Sequence, residues 1–567
     1  MQWGLYLLPL AILGTLGWRH RYIIDDGFIY LRVVDNLING LGPVYNGGER
    51  VEVYTGVVWT FLLAGAGWIT PVALEWLAVV LGLTLTLVGL ALGMWGSRRF
   101  FGSDAAIVMV PVGALALVSL QPMWNFATTG LETGLTFAWL GGCWALLANW
   151  AGSGRRPSAW ELVVLGLGPL VRPDLAFSSA IFLALVLVFG WRWSTWPGRV
   201  RIVGWGLALP VGYQLFRMAY FGEFVAIAKE ATMPRLDYGL RYLGDFVGTY
   251  ALWIPVVALI LGIYLPSVLY LRNRSHAADR RRIAVLLSFL AAGALNGAFV
   301  VLMGGDYLHA RLLLPALFAI VIPAALVPAR RRYLAGVLVL AWSVVAVLTL
   351  RPPSTLFPFD DVDGNGTVTA AEFGFFPGSP ATEWLTEDAI YLRSVFANPV
   401  QRLDAQPADG VPLPTVAQGA IGLAGYYFGP ELTFFDLNGL ATPLASHLEL
   451  TRRGHPGHEK SLPTPWVAAA LTAPGTPPEK FDTFQAERAE ASLIYPPLIP
   501  ITTGAQLGAE TEWARQALRC DTLAEFMAAP TRPLTIATAW SNFTGAWERT
   551  RLRIPPDPEQ AYREFCG

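Results

Sequence analysis

Residues 72–96 read VALEWLAVVLGLTLTLVGLALGMWG, and Arg98 and Arg99 follow after Ser97. The run contains one charged side chain, Glu75, and exceeds the roughly 20 apolar residues that a helix needs to cross the hydrocarbon core of a bilayer. Arginines at one end of such a run are typical of its cytoplasmic flank. The stretch therefore predicts a transmembrane helix.

Similar apolar runs recur through the first 351 residues and predict a polytopic α-helical membrane protein with about eleven spans. The segment 55–69 is also apolar, and we expect a re-entrant or half-membrane helix there; a full crossing would make twelve spans. The spans are expected near 2–18, 72–96, 105–120, 131–149, 159–171, 175–190, 201–220, 251–271, 283–303, 312–327 and 333–350.

The composition supports this class of protein. The chain has 567 residues, of which 54% are hydrophobic and 14% are charged, whereas a soluble protein carries roughly 25% charged residues. Its mean hydropathy is +0.46. These values exclude a disordered chain and a nucleic-acid-binding protein, and three cysteines are too few for a disulfide scaffold or a thiolate metal cluster.

The positions of arginine predict the orientation in the plasma membrane. Loops rich in arginine alternate with loops that are not, and we place the arginine loops in the cytoplasm. The first outer loop, 19–54, and everything after 351 then face the periplasm or the outside. Residues 352–567 are predicted to form a mixed α/β soluble domain there, in which Cys520 and Cys566 either pair as a disulfide or remain two buried thiols.

Acidic and basic side chains gather in the outer loops, next to the ends of the spans. Charges beside hydrocarbon are costly and indicate function. A transporter would place them near mid-membrane, whereas here they lie at one face beneath an outer domain, which favours an enzyme. The residues are Asp25, Asp26, Arg32, Asp35, Glu132, Arg172, Asp174, Lys229, Glu230, Asp306, His309 and Arg311.

The strongest local pattern is Tyr22-Ile-Ile-Asp25-Asp26-Gly-Phe-Ile-Tyr-Leu-Arg32. The residues after the acids have an amphipathic period, which predicts a helix lying on the membrane. One acid is a candidate general base whose pKa the other raises; the alternative is a helix N-terminus that favours Asp. Asp25 is the preferred base because it shares a helix face with Arg32.

Three further groups have both a functional and a structural interpretation. Lys229 is either a phosphate ligand or an interfacial lysine. Arg311, with Asp306 and His309 beside it, is either a phosphate clamp or part of an interhelical salt bridge. The remaining group, which either binds substrate or pairs between helices, consists of Glu132, Arg172 and Asp174.

Residues 361–372 match the EF-hand-like calcium-loop pattern at every constrained position. Carboxylate and amide oxygens with a Gly at the sixth position suit Ca²⁺, so we predict a structural calcium ion in the outer domain. The alternative is an Asx-turn loop without metal. The ligands are Asp361, Asp363, Asn365, Thr367 through its carbonyl, and Glu372.

Two outer-domain features are candidates for contacts with a glycan. Residues 452–460 carry His455, His458 and Glu459, but Pro456 and Gly457 interrupt a helical spacing, so an acceptor-contacting loop or a plain surface loop is favoured over zinc. Tyr427 is a candidate for stacking on a sugar ring, and core packing is the alternative.

Taken together, DDGFIYLRVVDNLINGLGPVYNGGERVEVYT, TTGLET, VRPD, the segment around Lys229 and GGDYLHARLLLP resemble the GT-C superfamily of polyprenyl-phosphate-dependent glycosyltransferases. The stretch GLAGYYFGPELTFFDLNGLATPLASHLELTRRGHPGHEKSLPTPW narrows the resemblance to the arabinofuranosyltransferases of the actinobacterial cell wall. Thr442 stands where that pattern has an acid before Pro443.

The resemblance implies transfer of arabinofuranose from decaprenyl-phospho-arabinofuranose to the ends of a cell-wall arabinan (arabinogalactan or lipoarabinomannan), in a terminal β-(1→2) linkage and without a nucleotide cofactor. It implies an aspartate base at Asp25 or Asp26 and a single displacement, with Lys229, His309 and Arg311, and also Arg32, as candidates for binding the phosphate. Substrate contacts are expected from Glu132, Arg172, Asp174, Asp306, Tyr427 and His458. The alternatives are another polyprenyl-phosphate sugar transferase, such as a mannosyltransferase, and a transporter or flippase of a lipid-linked saccharide.

Overall fold

The computed structural model describes residues 2–102, 108–190, 196–227, 234–274, 276–306, 308–329, 333–350, 415–450, 460, 462–475 and 504–567. The described part of the first 350 residues is mostly helical. Their helices are α1 (Gln2–Arg19), α2 (Asp25–Ile38), α3 (Val57–Ile69), α4 (Leu74–Phe101), α5 (Val112–Val118), α6 (Gln121–Asn125), α7 (Thr133–Ser153), α8 (Ala159–Gly166), α9 (Gly168–Val171), α10 (Ala176–Gly190), α11 (Trp196–Tyr220), α12 (Leu236–Thr249), α13 (Trp253–Leu259), α14 (Leu265–Arg274), α15 (Ala277–Met303), α16 (Leu314–Val321) and α17 (Tyr333–Thr349).

Several of these helices suit a bilayer. Within the described ranges, three are long and apolar enough to cross one: Leu74–Phe101, Trp253–Arg274 (which joins α13 and α14 through the π-helical turn Ile260–Tyr264) and Ala277–Met303. Shorter apolar helices occupy Val57–Ile69, Pro173–Phe189, Arg311–Ala324 and Leu334–Thr349. The chain is thus a helical membrane protein, and a total of eleven spans remains a prediction.

Three of the predicted spans are not continuous helices. At 105–120, the strand β1 (Met109–Val110) pairs antiparallel with β2 (Val327–Pro328) and precedes a helix of seven residues. The run 159–171 divides into α8 and α9, and the run 312–327 contains an α-helix of eight residues. Pro111, Pro169 and Pro323 explain the interruptions, because proline lacks the N–H that would continue a helix.

Glycines allow the two best-packed membrane helices, α4 and α7, to approach closely. A Cβ at Gly141 would lie 2.1 Å from the carbonyl oxygen of Gly89, and a Cβ at Gly134 would lie 2.2 Å from that of Gly82. The two glycines of α4 are seven residues apart, as are the two of α7, and the pairs face each other. Small residues at such a crossing bring the backbones into van der Waals contact where no hydrophobic force acts between helices in lipid.

The helices have two distinct ends. At one end, called the arginine end, Arg98 of α4 contacts Tyr6 of α1, and Arg281 of α15 donates to the carbonyl of Ala151 in α7. At the other, called the acidic end, α1 leads into the Asp25–Asp26 pair and α15 ends just before Asp306. These arginines and these acids therefore lie at opposite ends of the bundle, and which end faces the cytoplasm remains a prediction.

The described part of the C-terminal region mixes helices with one small sheet, in which β3 (Thr415–Gln418) and β4 (Thr433–Asp436) are parallel and connected through α18 (Gly422–Phe428). One apolar core lies within the C-terminal helices. Residues from Ile421 to Phe434 belong instead to the core of the helical bundle. The remaining helices are α19 (Pro443–Ser446), α20 (Thr464–Leu471), α21 (Gly504–Arg519), α22 (Asp521–Ala528), α23 (Ile536–Arg551) and α24 (Pro558–Cys566).

Helix α2 forms where the sequence predicts it, but its apolar residues are not open to lipid. Every residue from Gly27 to Val34 is buried, because α3 covers one side of the helix and α18 covers another. The amphipathic period that suggested lipid contact instead reflects burial between the bundle and the C-terminal segment. The expectation that these apolar residues contact the membrane was wrong, and the level of α2 relative to the bilayer remains a prediction.

Candidate active site at the acidic end

The adjacent acids Asp25 and Asp26 have different partners. Asp25 accepts hydrogen bonds from the backbone N–H groups of Gly422 (3.0 Å) and Leu423 (2.8 Å), at the start of α18. Asp26 points to the other side of the helix, where its Oδ2 lies 3.2 Å from Nη1 of Arg311. Two carboxylates in the first turn of α2 also suit the positive end of its dipole. Asp25 thus holds the C-terminal segment, and Asp26 faces the polar residues of the bundle.

Burial raises the pKa of Asp25 to about 6. Loss of solvent is the main cause, the N–H of Leu423 opposes it, and the neighbouring charge of Asp26 adds to it. The carboxylate is therefore ionised at neutral pH and accepts both backbone hydrogen bonds.

Arg311 joins two carboxylates that are distant in sequence. Its Nε lies 2.5 Å from Oδ2 of Asp306, in addition to its contact with Asp26. The turn that carries it requires positive φ at Gly304 and Gly305. A Cβ at Gly305 would lie 2.5 Å from the ring of Tyr242, so glycine permits the close packing that sets this turn.

A second polar group extends from the same end into the bundle. Arg172 makes a two-point ion pair with Asp174, at 2.8 and 3.0 Å, and Asn296 donates to Asp174 at 2.7 Å. Oε1 of Glu132 lies 3.9 Å from Nε of Arg172. The ion pair lies within the turn after α9, Asn296 links it to α15, and Glu132 is its polar neighbour.

His309 has an acidic partner that sequence reasoning missed. Its Nδ1 lies 2.8 Å from Oδ2 of Asp245 in α12, and its ring packs near Phe246 and Tyr250. The available signal was Asp245 itself, an acid among aromatic residues in a segment predicted to lie outside. A carboxylate at this distance orients the imidazole and fixes which nitrogen faces it.

Arg32 occupies a structural position. Its guanidinium is 1% exposed and donates to the carbonyls of Tyr45 (2.8 Å), Leu432 (2.6 Å) and Gly425. It also lies 3.4 Å from Oδ1 of Asn46. These contacts attach the C-terminal segment to α2, so we exclude Arg32 as a phosphate ligand. The helix face that Arg32 shares with Asp25 is the docking surface of residues 421–434.

Sequence reasoning also missed an ion pair beside the first outer loop. Glu52 receives two hydrogen bonds from Arg217, at 2.5 and 3.1 Å, and one from Tyr213 at 2.7 Å. The signal was Arg217 itself, a cation inside a predicted span. The contact fixes the loop against α11.

The other predicted site residues have separate positions. Tyr427 is half-buried and packs edge-on against Phe428. Cys520 pairs with Cys566 as a disulfide, with Cα atoms 5.4 Å apart. In the described ranges, no cluster of three or more His, Cys, Asp and Glu side chains could hold a metal. Lys229, His458 and the calcium loop 361–372, with Asp361, Asp363, Asn365, Thr367 and Glu372, lie outside the described residues.

Comparison with known proteins finds two similar proteins. It is 31% identical to a terminal beta-(1→2)-arabinofuranosyltransferase of Mycobacterium tuberculosis, over 97% of this chain and 94% of that protein. It is 29% identical to a protein of the same name from Corynebacterium glutamicum, over 85% of this chain and 79% of the relative. No family model and no solved structure matches the chain.

The apolar helices and these similarities together define a membrane glycosyltransferase. More particularly, the chain belongs to the family of terminal β-(1→2)-arabinofuranosyltransferases.

Proposed function

We propose that this protein transfers one arabinofuranose unit from a polyprenyl-phosphate donor, decaprenyl-phospho-arabinofuranose, to the 2-hydroxyl at the end of a cell-wall arabinan. The family supports the transfer and the linkage. The observation that carries the choice of site is the contact between Asp26 and Arg311, because it puts a candidate base beside a candidate phosphate ligand at the end of a membrane bundle. A single displacement from a lipid phosphate needs both a base for the acceptor hydroxyl and a cation for the departing phosphate.

In the proposed mechanism, Asp26 takes the proton of the acceptor 2-hydroxyl as its oxygen attacks the anomeric carbon. The bond between that carbon and the phosphate oxygen breaks, and the lipid phosphate leaves with the bonding electrons. Arg311 stabilises the charge that develops on the phosphate, and Lys229 and His309 are further candidates for this role. Asp26 is preferred to Asp25 because both oxygens of Asp25 accept backbone hydrogen bonds from α18.

The candidate substrate contacts surround the pair formed by Asp26 and Arg311. Asp306 positions Arg311, and Glu132 and the Arg172–Asp174 pair line the same polar region. Tyr427 and His458 are kept as candidate acceptor contacts. We place the site at the outer face of the plasma membrane, where a lipid-linked sugar and the cell-wall glycan meet.

The test is product analysis with the purified full-length protein, a synthetic arabinan and a lipid-linked sugar. Mass and linkage analysis should show one added arabinofuranose in β-(1→2) linkage, and lipid-linked mannose should give no product.

Asp26→Asn should reduce turnover by roughly 10²–10⁴-fold, the typical contribution of a general base. Asp35→Asn is the matched control, since Asp35 is on the same helix but bonds to Asn39. Full turnover by Asp26→Asn would exclude Asp26 as the base.

We also propose that residues 361–372 bind a structural Ca²⁺ in the outer domain, a proposal that rests on the loop pattern. Added Ca²⁺ at millimolar concentration should raise the melting temperature of the wild type, and Glu372→Gln should abolish the shift. An equal shift in both proteins would exclude this loop as the site.

A further inference from the structure

Helix α23, in the C-terminal region, leaves a row of large apolar side chains exposed. Ile536 is 92% exposed, Trp540 is 66% exposed and Trp547 is 52% exposed. Phe543 stacks on Trp540, with ring centroids 5.8 Å apart. Spacings of four, three and four residues put all four on one face of the helix.

A neighbouring face of α23 is fixed to the end of α11 and to the segment that follows it. Asn542 donates to the carbonyl of Ala219 (3.2 Å), and Arg549 donates to that of Gly222 (3.3 Å). The N–H of Phe224 donates to the hydroxyl of Thr550 at 2.8 Å. The exposed row is thus held at a defined level relative to α11 and cannot turn inward.

The exposed row lies near exposed apolar side chains of α11, a helix that the sequence predicts to span the membrane. Trp205, Leu209 and Phe216 lie along one side of α11 and are each more than a third exposed. From Phe216, aromatic contacts run through Tyr220 and Phe221, and the ring of Phe224 meets Trp547 edge-on at 5.2 Å. Exposed apolar side chains therefore lie on both α11 and α23, and Phe224, in the segment after α11, contacts the exposed row at Trp547.

We infer that α23 lies in the membrane surface, with Ile536, Trp540, Phe543 and Trp547 inserted at the headgroup boundary of the same leaflet that α11 reaches. Tryptophan suits this boundary because its ring is apolar and its N–H is polar. Arg551, which lies over the ring of Trp547, is placed to meet lipid phosphate. The helix anchors the C-terminal region to the bilayer independently of residues 421–434.

The test uses full-length protein in phospholipid vesicles with a fluorescent bimane label on Trp540→Cys. The native cysteines are a buried Cys143 and the Cys520–Cys566 disulfide, so the label reports the introduced position. Ser541→Cys is the matched control, because it is exposed on the same helix and points about 100° away from Trp540. Ile536→Cys is a second reporter at a position whose side chain is almost fully exposed.

Labels at 536 and 540 should be quenched about twofold more by lipids carrying a nitroxide near the headgroup than the label at 541. Aqueous iodide should show the reverse order. Equal quenching by iodide at all three positions would overturn the proposal. Protection from both quenchers, with disulfide cross-linking between copies through Trp540→Cys, would also overturn it, because the face would then bind a second copy of this chain.

Discussion

At the residue scale, the most informative finding is the difference between two neighbouring aspartates. Asp25 is bound by two backbone N–H groups of the C-terminal segment, whereas Asp26 contacts Arg311. Two carboxylates that are adjacent in sequence thus lie in different physical environments. The sequence alone left both acids as candidates for the base, and the structure separates a docking acid from a proposed base.

Asp25→Asn tests this separation. An amide keeps one acceptor oxygen but presents an NH₂ group to the other N–H, so we expect a loss of about 1–3 kcal/mol in stability and a partial loss of turnover. Melting temperature and turnover would be measured beside Asp26→Asn, which should retain its stability and lose turnover. If Asp25→Asn instead melts like the wild type and is inactive, the base is Asp25.

His447 should make the protein sensitive to acid. Its ring is fully buried, and Nδ1–H donates to the carbonyl of Pro443 at 2.9 Å. Burial lowers its pKa from 6.5 to about 4, and the charges of Lys460 and Arg553 contribute. The unfolded chain therefore takes up a proton near pH 6.5 that the folded ring accepts only near pH 4, and acidification between these values favours unfolding.

Between pH 7 and pH 5 this difference amounts to about 2 kcal/mol. The pKa of Asp436, raised to about 6 by burial, acts in the opposite direction, as does that of Asp25. The measurement is therefore the difference in unfolding free energy between the wild type and His447→Asn at the two pH values. The variant should lose about 2 kcal/mol less on acidification, and an identical loss would contradict the assignment.

At the scale of secondary-structure elements, glycine decides how α4 and α7 pack. A Cβ at Gly141 would meet the backbone of Gly89, while a Cβ on its neighbour Gly142 would meet only Cδ1 of Leu92 at 3.8 Å. Both positions are glycines in the interior of α7, but they face different surroundings.

Gly141→Ala should therefore destabilise the protein by about 1–3 kcal/mol, because the backbones must separate. Gly142→Ala should be neutral or more stable by up to about 1 kcal/mol, because alanine favours a helix. Thermal unfolding in detergent measures both. Equal melting temperatures for the two variants would show that the crossing is not as close as the structure indicates.

At the scale of the whole molecule, the bundle separates its charges between two ends. Arg98 and Arg281 lie at the arginine end, and Asp26, Asp306 and Arg311 lie at the acidic end. Because cytoplasmic loops are enriched in arginine, the acidic end is expected to face outward. The proposed reaction requires that orientation, since its acceptor is a cell-wall glycan.

Cysteine labelling in intact cells tests the orientation. Leu41→Cys, at an exposed position of the first outer loop, should react with a membrane-impermeant maleimide. Asn273→Cys, exposed near the arginine end, should react only after the cells are permeabilised. The opposite pattern would place the acidic end in the cytoplasm and contradict the proposed function.

The sequence by itself determined that this is a membrane protein, where its main apolar helices lie and which end carries the acids, because apolar runs and flanking charges are local properties of the chain. It also showed the acid pair and the family motifs. Only the tertiary structure decided that Asp25 and Arg32 bind residues 421–434, that Asp245 meets His309 and that α2 is buried. Asp25 and Leu423 are 398 positions apart, and no local pattern specifies which backbone groups the folded chain brings to a carboxylate.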